Sequence, residues 1–117
     1  MSKVVVDIKV VYGNGNGNGN SKTKQEMGVT MTLKHPQSIY YALLLKKAMA
    51  AMKNSDDIES AKKALGIDNF KAAQEMAMDL RDEAYSRLGL SIGYGPDGVF
   101  GHTETKTWKI ERIEELA

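Results

Sequence analysis

The chain has 117 residues, of which 42% are hydrophobic, so residues 1–117 are long enough for one domain with a modest core. Sixteen basic and fifteen acidic residues leave a formal net charge of +1, which argues against a protein that binds nucleic acid. The lack of cysteine excludes disulfides, thiolate metal sites and a cysteine nucleophile. No apolar run approaches the roughly 18 residues of a membrane span, so we expect a cytoplasmic protein without membrane contact.

Two alternating patterns predict an N-terminal antiparallel β-hairpin, with strands over residues 3–12 and 25–34. The residues expected on the inward faces are Val4, Val6, Ile8, Val10 and Tyr12 in the first strand, and Met27, Val29, Met31 and Leu33 in the second. Residues 13–24 contain a Gly-Asn alternation, which we interpret as a flexible hairpin tip of low complexity. An engineered linker is the alternative interpretation of that tract.

The spacing of apolar residues in the middle of the chain predicts helices. A helix over residues 37–53 would be apolar on most of its sides. A domain of this size has too few other elements to cover all of that apolar surface. We therefore expect part of this helix to pack against a second copy, giving a homo-oligomer. A short helix follows over residues 58–65, and a longer one begins at an Asp68 N-cap and ends before Gly89. The pattern leaves open whether Gly66 kinks one helix or separates two.

A β-rich run over residues 103–110 predicts a third strand, with Trp108 packing on the helices. Residues 111–117 either extend this strand or form a short helical turn. The expected fold is therefore α+β: an N-terminal antiparallel β-hairpin, two main helices and a C-terminal β-hairpin or strand.

The glycine-rich segment 89–103 is the candidate functional region. Residues 93–98 match the letters of the dinucleotide pattern G-x-G-x-x-G, but a helix precedes them and a β-rich run follows. The strand–turn–helix context that makes this pattern bind a pyrophosphate is missing, so we reject a Rossmann site. Exposed glycine amides beside aromatic rings still suit a small anionic ligand. A tight hairpin without any ligand explains the segment equally well.

Each residue type in the predicted site has a proposed role. Glycine amides would bind phosphates, Tyr94 or Phe100 would stack on a base, and hydroxyls and His102 would contact ribose or phosphate oxygens. Two arginines near the end of the long helix would supply positive charge, although they serve equally well as partners of the helix dipole. The full predicted ligand-binding set is Arg81, Arg87, Tyr94, Gly95, Asp97, Gly98, Phe100, Gly101, His102, Thr103 and Thr105.

Catalytic groups are scarce. The two histidines, His35 and His102, are far apart in sequence, and the pair His102 and Glu104 has too few neighbouring ligands for a metal site. A triad of Ser91, Asp97 and His102 has no distinguishing spacing. We therefore expect no enzyme activity, no metal and no cofactor.

The chain length, the order hairpin–helix–helix–small β unit and the absence of catalytic groups resemble the bacteriophage anti-Thoeris sponge proteins. The segment 93–103 is the part that we expect to matter in such a family. The resemblance implies a homo-oligomer that sequesters a signal of the cyclic ADP-ribose type without cleaving it, and so blocks host antiviral immunity. Two alternatives remain. One is a small phage-type inhibitor that docks its apolar helix or hairpin on a host protein, and the other is a hydrolase that uses His102 and Glu104.

Overall fold

The computed structural model describes residues 2–15, 23–89 and 103–116. These residues form three antiparallel strands in one sheet and three helices, so the α+β prediction is confirmed. The elements in chain order are β1 (Lys3–Gly15), β2 (Thr23–Leu33), α1 (Pro36–Ala51), α2 (Ile58–Leu65), α3 (Ile67–Arg87) and β3 (Thr103–Leu116). Within this part of the chain, none of the helices combines the length and apolarity that a membrane span requires.

Strand β1 is the centre of the sheet, because the strand order is β2-β1-β3. Its inward residues are at most 1% exposed: Val4, Val6, Ile8 and Val10. The predicted hairpin is confirmed, since Val6 pairs with Met31 and Ile8 with Val29. Of the predicted inward residues of the second strand, Val29 and Met31 are buried, and Met27 and Leu33 are partly buried. Pairing continues to Asn14 and Thr23, so both strands extend into the predicted tip, whose residues 16–22 lie outside the described residues.

Strand β3 contains a β-bulge that the alternating pattern did not predict. Ile8 pairs with Ile110 and Asp7 with Arg112, which leaves Glu111 as the extra residue. The bulge allows Ile110 and Ile113 to face the core together although they are three positions apart. The strand then continues to Leu116, so of the two predicted alternatives for residues 111–117 the extended strand is confirmed through Leu116.

The helices cover the inward face of the sheet and join its core. Helix α1 begins after His35, whose Nδ1 accepts a hydrogen bond of 3.2 Å from the backbone N–H of Gln37. Helix α3 ends before Gly89, whose φ of 73° is the predicted left-handed C-terminal glycine. The predicted N-cap Asp68 is wrong: Gly66 takes the capping position and Asp68 lies in the first turn of α3.

Gly66 separates α2 from α3, which settles the question that the sequence left open. Its φ of 86° and ψ of 158° belong to a region that essentially only glycine occupies. We expect Gly66→Ala to lower the free energy of unfolding by about 1–3 kcal/mol. A methyl group there would meet nothing within 4 Å, so the whole cost would come from the backbone. Urea denaturation measures this change.

The matched control is Gly28→Ala in β2. A methyl group at Gly28 would also meet nothing within 4 Å, and the φ of Gly28 is not positive. Alanine loses less conformational entropy on folding than glycine does, so this variant should keep or slightly raise the stability. Equal losses in the two variants would contradict the backbone explanation.

Candidate functional site

An apolar cleft of about 540 Å³ opens between the last turns of α1, the loop that follows it, the first half of α3 and the middle of β3. Apolar side chains form most of its wall: Leu45, Ala48, Met49, Met52, Ile58, Phe70, Ala73, Ala77, Trp108 and Ile110. Four polar residues complete the lining: Asn54, Ser55, Gln74 and Lys109. The volume lies within the range of about 300–1,000 Å³ that is usual for small-molecule sites.

Ordinary helix and strand periodicity builds this cleft. Residues 45, 48, 49 and 52 of α1 share one face, as do residues 70, 73, 74 and 77 of α3. Trp108 and Ile110 project from the inward face of β3, where they pair with Val10 and Ile8. Alanines at positions 48, 73 and 77 have no side chain beyond Cβ to fill the space between these elements. The cleft is therefore bounded by large residues and left open by small ones.

Two aromatic rings form part of the cleft wall. Trp108 and Phe70 are both half-buried and packed against the core, which confirms the prediction that Trp108 packs on the helices. The Nζ atom of Lys62 lies 5.7 Å from the centre of the Phe70 ring, so a cation–π contact holds that ring from α2. Met49 and Ile58 are 38% and 40% exposed, which makes the cleft accessible to solvent.

The loop between α1 and α2 carries the polar rim and is held by short-range hydrogen bonds. The Asp57 carboxylate accepts one bond of 2.9 Å from the backbone N–H of Lys53 and one of 3.4 Å from that of Ser60. Asn54 Oδ1 accepts a bond of 2.9 Å from the backbone N–H of Asp56. The bond from Lys53, followed by those from Ser60, holds the pKa of Asp57 below its ordinary value.

We expect Asp57→Ala to lower the free energy of unfolding at neutral pH and to have little effect at strongly acidic pH. A carboxyl group with a lowered pKa in the folded protein stabilises it above the unfolded-state pKa, and this contribution disappears as the pH falls through the folded-state pKa. Urea denaturation of both proteins across this pH range tests the expectation. Asp56→Ala is the control, because the backbone N–H of Asp56, and not its carboxylate, bonds Asn54. A pH-independent difference for Asp57→Ala would contradict the prediction.

The two predicted arginines each have an acidic partner on their own helix. Arg81 Nη2 lies 2.9 Å from Asp82 Oδ1, and Arg87 Nε lies 2.8 Å from Glu83 Oε2. Arg87 Nη1 also donates a bond of 3.3 Å to the backbone carbonyl of Thr30 in β2. Both arginines therefore have partners within the chain itself.

The sheet register separates Arg87 from the predicted threonines. Thr30 pairs with Asp7, whereas Thr105 and Thr103 on the opposite edge strand pair with Gly13 and Gly15. Gly13 and Gly15 follow Asp7 by six and eight positions in β1, which is about 20 Å or more along the strand. The structure therefore does not bring Arg87 to Thr103 and Thr105. The remaining members of the predicted set lie outside the described residues: Tyr94, Gly95, Asp97, Gly98, Phe100, Gly101 and His102.

The lining of the cleft is mainly apolar. Its described lining contains no histidine, carboxylate or cysteine. Within residues 2–15, 23–89 and 103–116, no three acidic or histidine side chains lie close enough together to hold a metal ion. No sequence motif indicates the cleft, because it is made of single apolar residues from four parts of the chain. The one available signal was the recurrence of alanine at helical spacing beside Met, Phe and Leu.

No known protein family matches this chain, and neither a curated protein nor a solved structure matches it.

Proposed function

We propose that the protein binds a small nucleotide-like molecule without converting it, and that the flat ring of this molecule enters the apolar cleft. The observation that carries the proposal is a cleft of about 540 Å³ with Trp108 and Phe70 in its wall and amide side chains at its rim. Stacking of a base on an aromatic side chain is worth about 1–3 kcal/mol, so one well-placed ring contributes much of the affinity of a small ligand.

The rim supplies the hydrogen bonds that a nucleobase needs. Amide side chains pair well with the donors and acceptors on base edges, and Asn54 and Gln74 are both at the cleft. The Oδ1 atom of Asn54 already accepts a bond from Asp56, which leaves its Nδ2 group to donate to the ligand.

Binding without turnover would act by mass action. A protein that holds a signalling molecule tightly lowers its free concentration, and a site with no histidine, carboxylate or cysteine among its described lining residues is suited to that task. The resemblance to anti-Thoeris sponge proteins makes molecules of the cyclic ADP-ribose type the first ligands to test.

The test is a thermal-shift titration with cyclic and linear nucleotides, because a ligand that binds only the folded state raises the melting temperature. Ala77→Phe places a ring inside the cleft, and Ala50→Phe places the same ring on an exposed position of α1. We expect a shift in the wild type and in Ala50→Phe but not in Ala77→Phe. The ligand should be recovered intact after heat denaturation, since recovery of a cleaved product would indicate a hydrolase.

Other outcomes separate the alternatives. An equal shift in Ala77→Phe would mean that the ligand binds elsewhere, and the segment 94–105 would be the next region to mutate. No shift with any nucleotide would overturn the proposal. It would favour the inhibitor hypothesis, in which the exposed side chains of Met49 and Ile58 contact a protein partner.

We also propose that α1 joins two copies of the chain. Tyr40 is 54% exposed although its ring lies 5.5 Å from that of Tyr41, and Leu43 and Leu44 are only partly buried. A helix with this much apolar surface outside the core is suited to self-association. We expect Tyr40→Glu to lower the native mass measured by light scattering to that of a single chain. A wild-type protein that is already monomeric at high concentration would contradict this proposal.

A further inference from the structure

The methionines of this chain differ sharply in their exposure. Met31 and Met76 are 2% and 9% exposed, whereas Met49 and Met78 are 38% and 46% exposed. Met27 and Met52 fall between these extremes. Because an oxidant reaches exposed thioethers first, Met49 and Met78 are the described methionines most open to oxidation.

These two exposed methionines stand in different surroundings. Met49 is in the wall of the cleft, on the same face of α1 as Leu45 and Met52. Met78 is on α3, outside the cleft lining. Oxidation of Met49 would therefore change the surface that meets a ligand, and oxidation of Met78 would not.

We propose that Met49 is a modification site, at which oxidation by a peroxide weakens ligand binding in the cleft. The thioether sulfur gives two electrons to the peroxide, the O–O bond breaks, an S=O bond forms, and the second oxygen leaves as water when the oxidant is hydrogen peroxide. The product is a methionine sulfoxide, which is polar where the thioether was apolar. This inference rests on the proposed binding function of the cleft.

The effect on binding follows from the composition of the wall. A sulfoxide oxygen in a wall that also contains Leu45, Met52 and two aromatic rings is most stable when it is hydrogen-bonded to water. A ligand that covers Met49 must remove that water, and this costs binding free energy. A thioether, by contrast, makes favourable contacts with apolar and aromatic groups. Oxidation therefore lowers the affinity for any ligand with an apolar ring, and a methionine sulfoxide reductase restores it.

The experiment uses the full chain and the fluorescent ring compound 1-anilinonaphthalene-8-sulfonate as the probe. The proteins are the wild type, Met49→Leu, Met78→Leu and Ala77→Phe. Each is titrated before and after hydrogen peroxide, and peptide mass mapping shows which sulfur atoms are oxidised. We expect peroxide to weaken probe binding by about fivefold or more in the wild type and in Met78→Leu, but not in Met49→Leu. Reductase treatment should reverse the loss.

The possible failures are distinguishable. Probe binding that survives full oxidation of Met49, or that falls equally in Met49→Leu, would overturn the modification site and leave the cleft as a binding site. Binding by untreated wild type that Ala77→Phe does not reduce would show that the probe is not in the cleft. That result would overturn the inference that Met49 controls the binding of ring compounds in the cleft, whereas the proposed function would still be decided by the thermal-shift titration with nucleotides.

Discussion

Replacement of Trp108 with alanine is expected to weaken the binding of a nucleotide-like ligand by about 5- to 150-fold, because one base–aromatic stack is worth about 1–3 kcal/mol. Trp108 is the larger of the two aromatic side chains in the cleft wall, and β3 fixes its position through pairing with Val10. Isothermal titration calorimetry with the nucleotide that gives the largest thermal shift measures the change in Kd.

The control for this prediction separates binding from folding. Trp108→Phe keeps a ring at the same place and should recover much of the affinity, whereas Trp108→Ala also removes packing from the core. Both variants must show cooperative urea unfolding before their Kd values are compared. Unchanged affinity in a folded Trp108→Ala protein would show that the ligand does not stack on this residue.

Replacement of Ile8 with alanine is expected to lower the free energy of unfolding by about 2–5 kcal/mol. Ile8 is 1% exposed on the central strand and pairs with Val29 on one side and Ile110 on the other. Small domains have a total stability of only about 5–15 kcal/mol, so this single change should remove a large part of it. Urea denaturation followed by circular dichroism gives the value.

Two valines on the same strand provide a matched comparison. Val6 is fully buried on the inward face, and its neighbour Val5 is half-buried on the opposite face. Val6→Ala should therefore cost clearly more than Val5→Ala, although the chemical change is identical. If the two variants lost equal stability, the assignment of the inward face would be wrong.

The sequence predicted the elements of the fold because each of them repeats a simple period. The alternation in β1 and β2 predicted which residues face the core, and Gly89 was correctly placed at the end of α3. The bulge at Glu111 was missed because it replaces the two-residue repeat by a three-residue spacing between Ile110 and Ile113. The role of Gly66 was left open because its φ of 86° is a property of the folded backbone.

The candidate site could not be predicted in the same way. The cleft depends on how α1, α3 and β3 pack against one another, and no local sequence pattern predicts that packing. The sequence instead indicated the glycine-rich segment as the site and predicted that Arg87 supplies charge to a ligand there. In the fold the same side chain bonds Glu83 and the carbonyl of Thr30. A surface arginine on a helix has several partners within reach, and only the three-dimensional structure selects among them.

The two edge strands of the sheet, β2 and β3, have features that oppose backbone pairing between molecules in a concentrated solution. Arg87 donates a hydrogen bond to a backbone carbonyl of β2. Strand β3 contains the bulge at Glu111 and carries the charged residues Lys109 and Arg112. Bulges and charged side chains are the usual protection of sheet margins against backbone pairing between neighbours. Fibre-like stacking through these margins is therefore disfavoured.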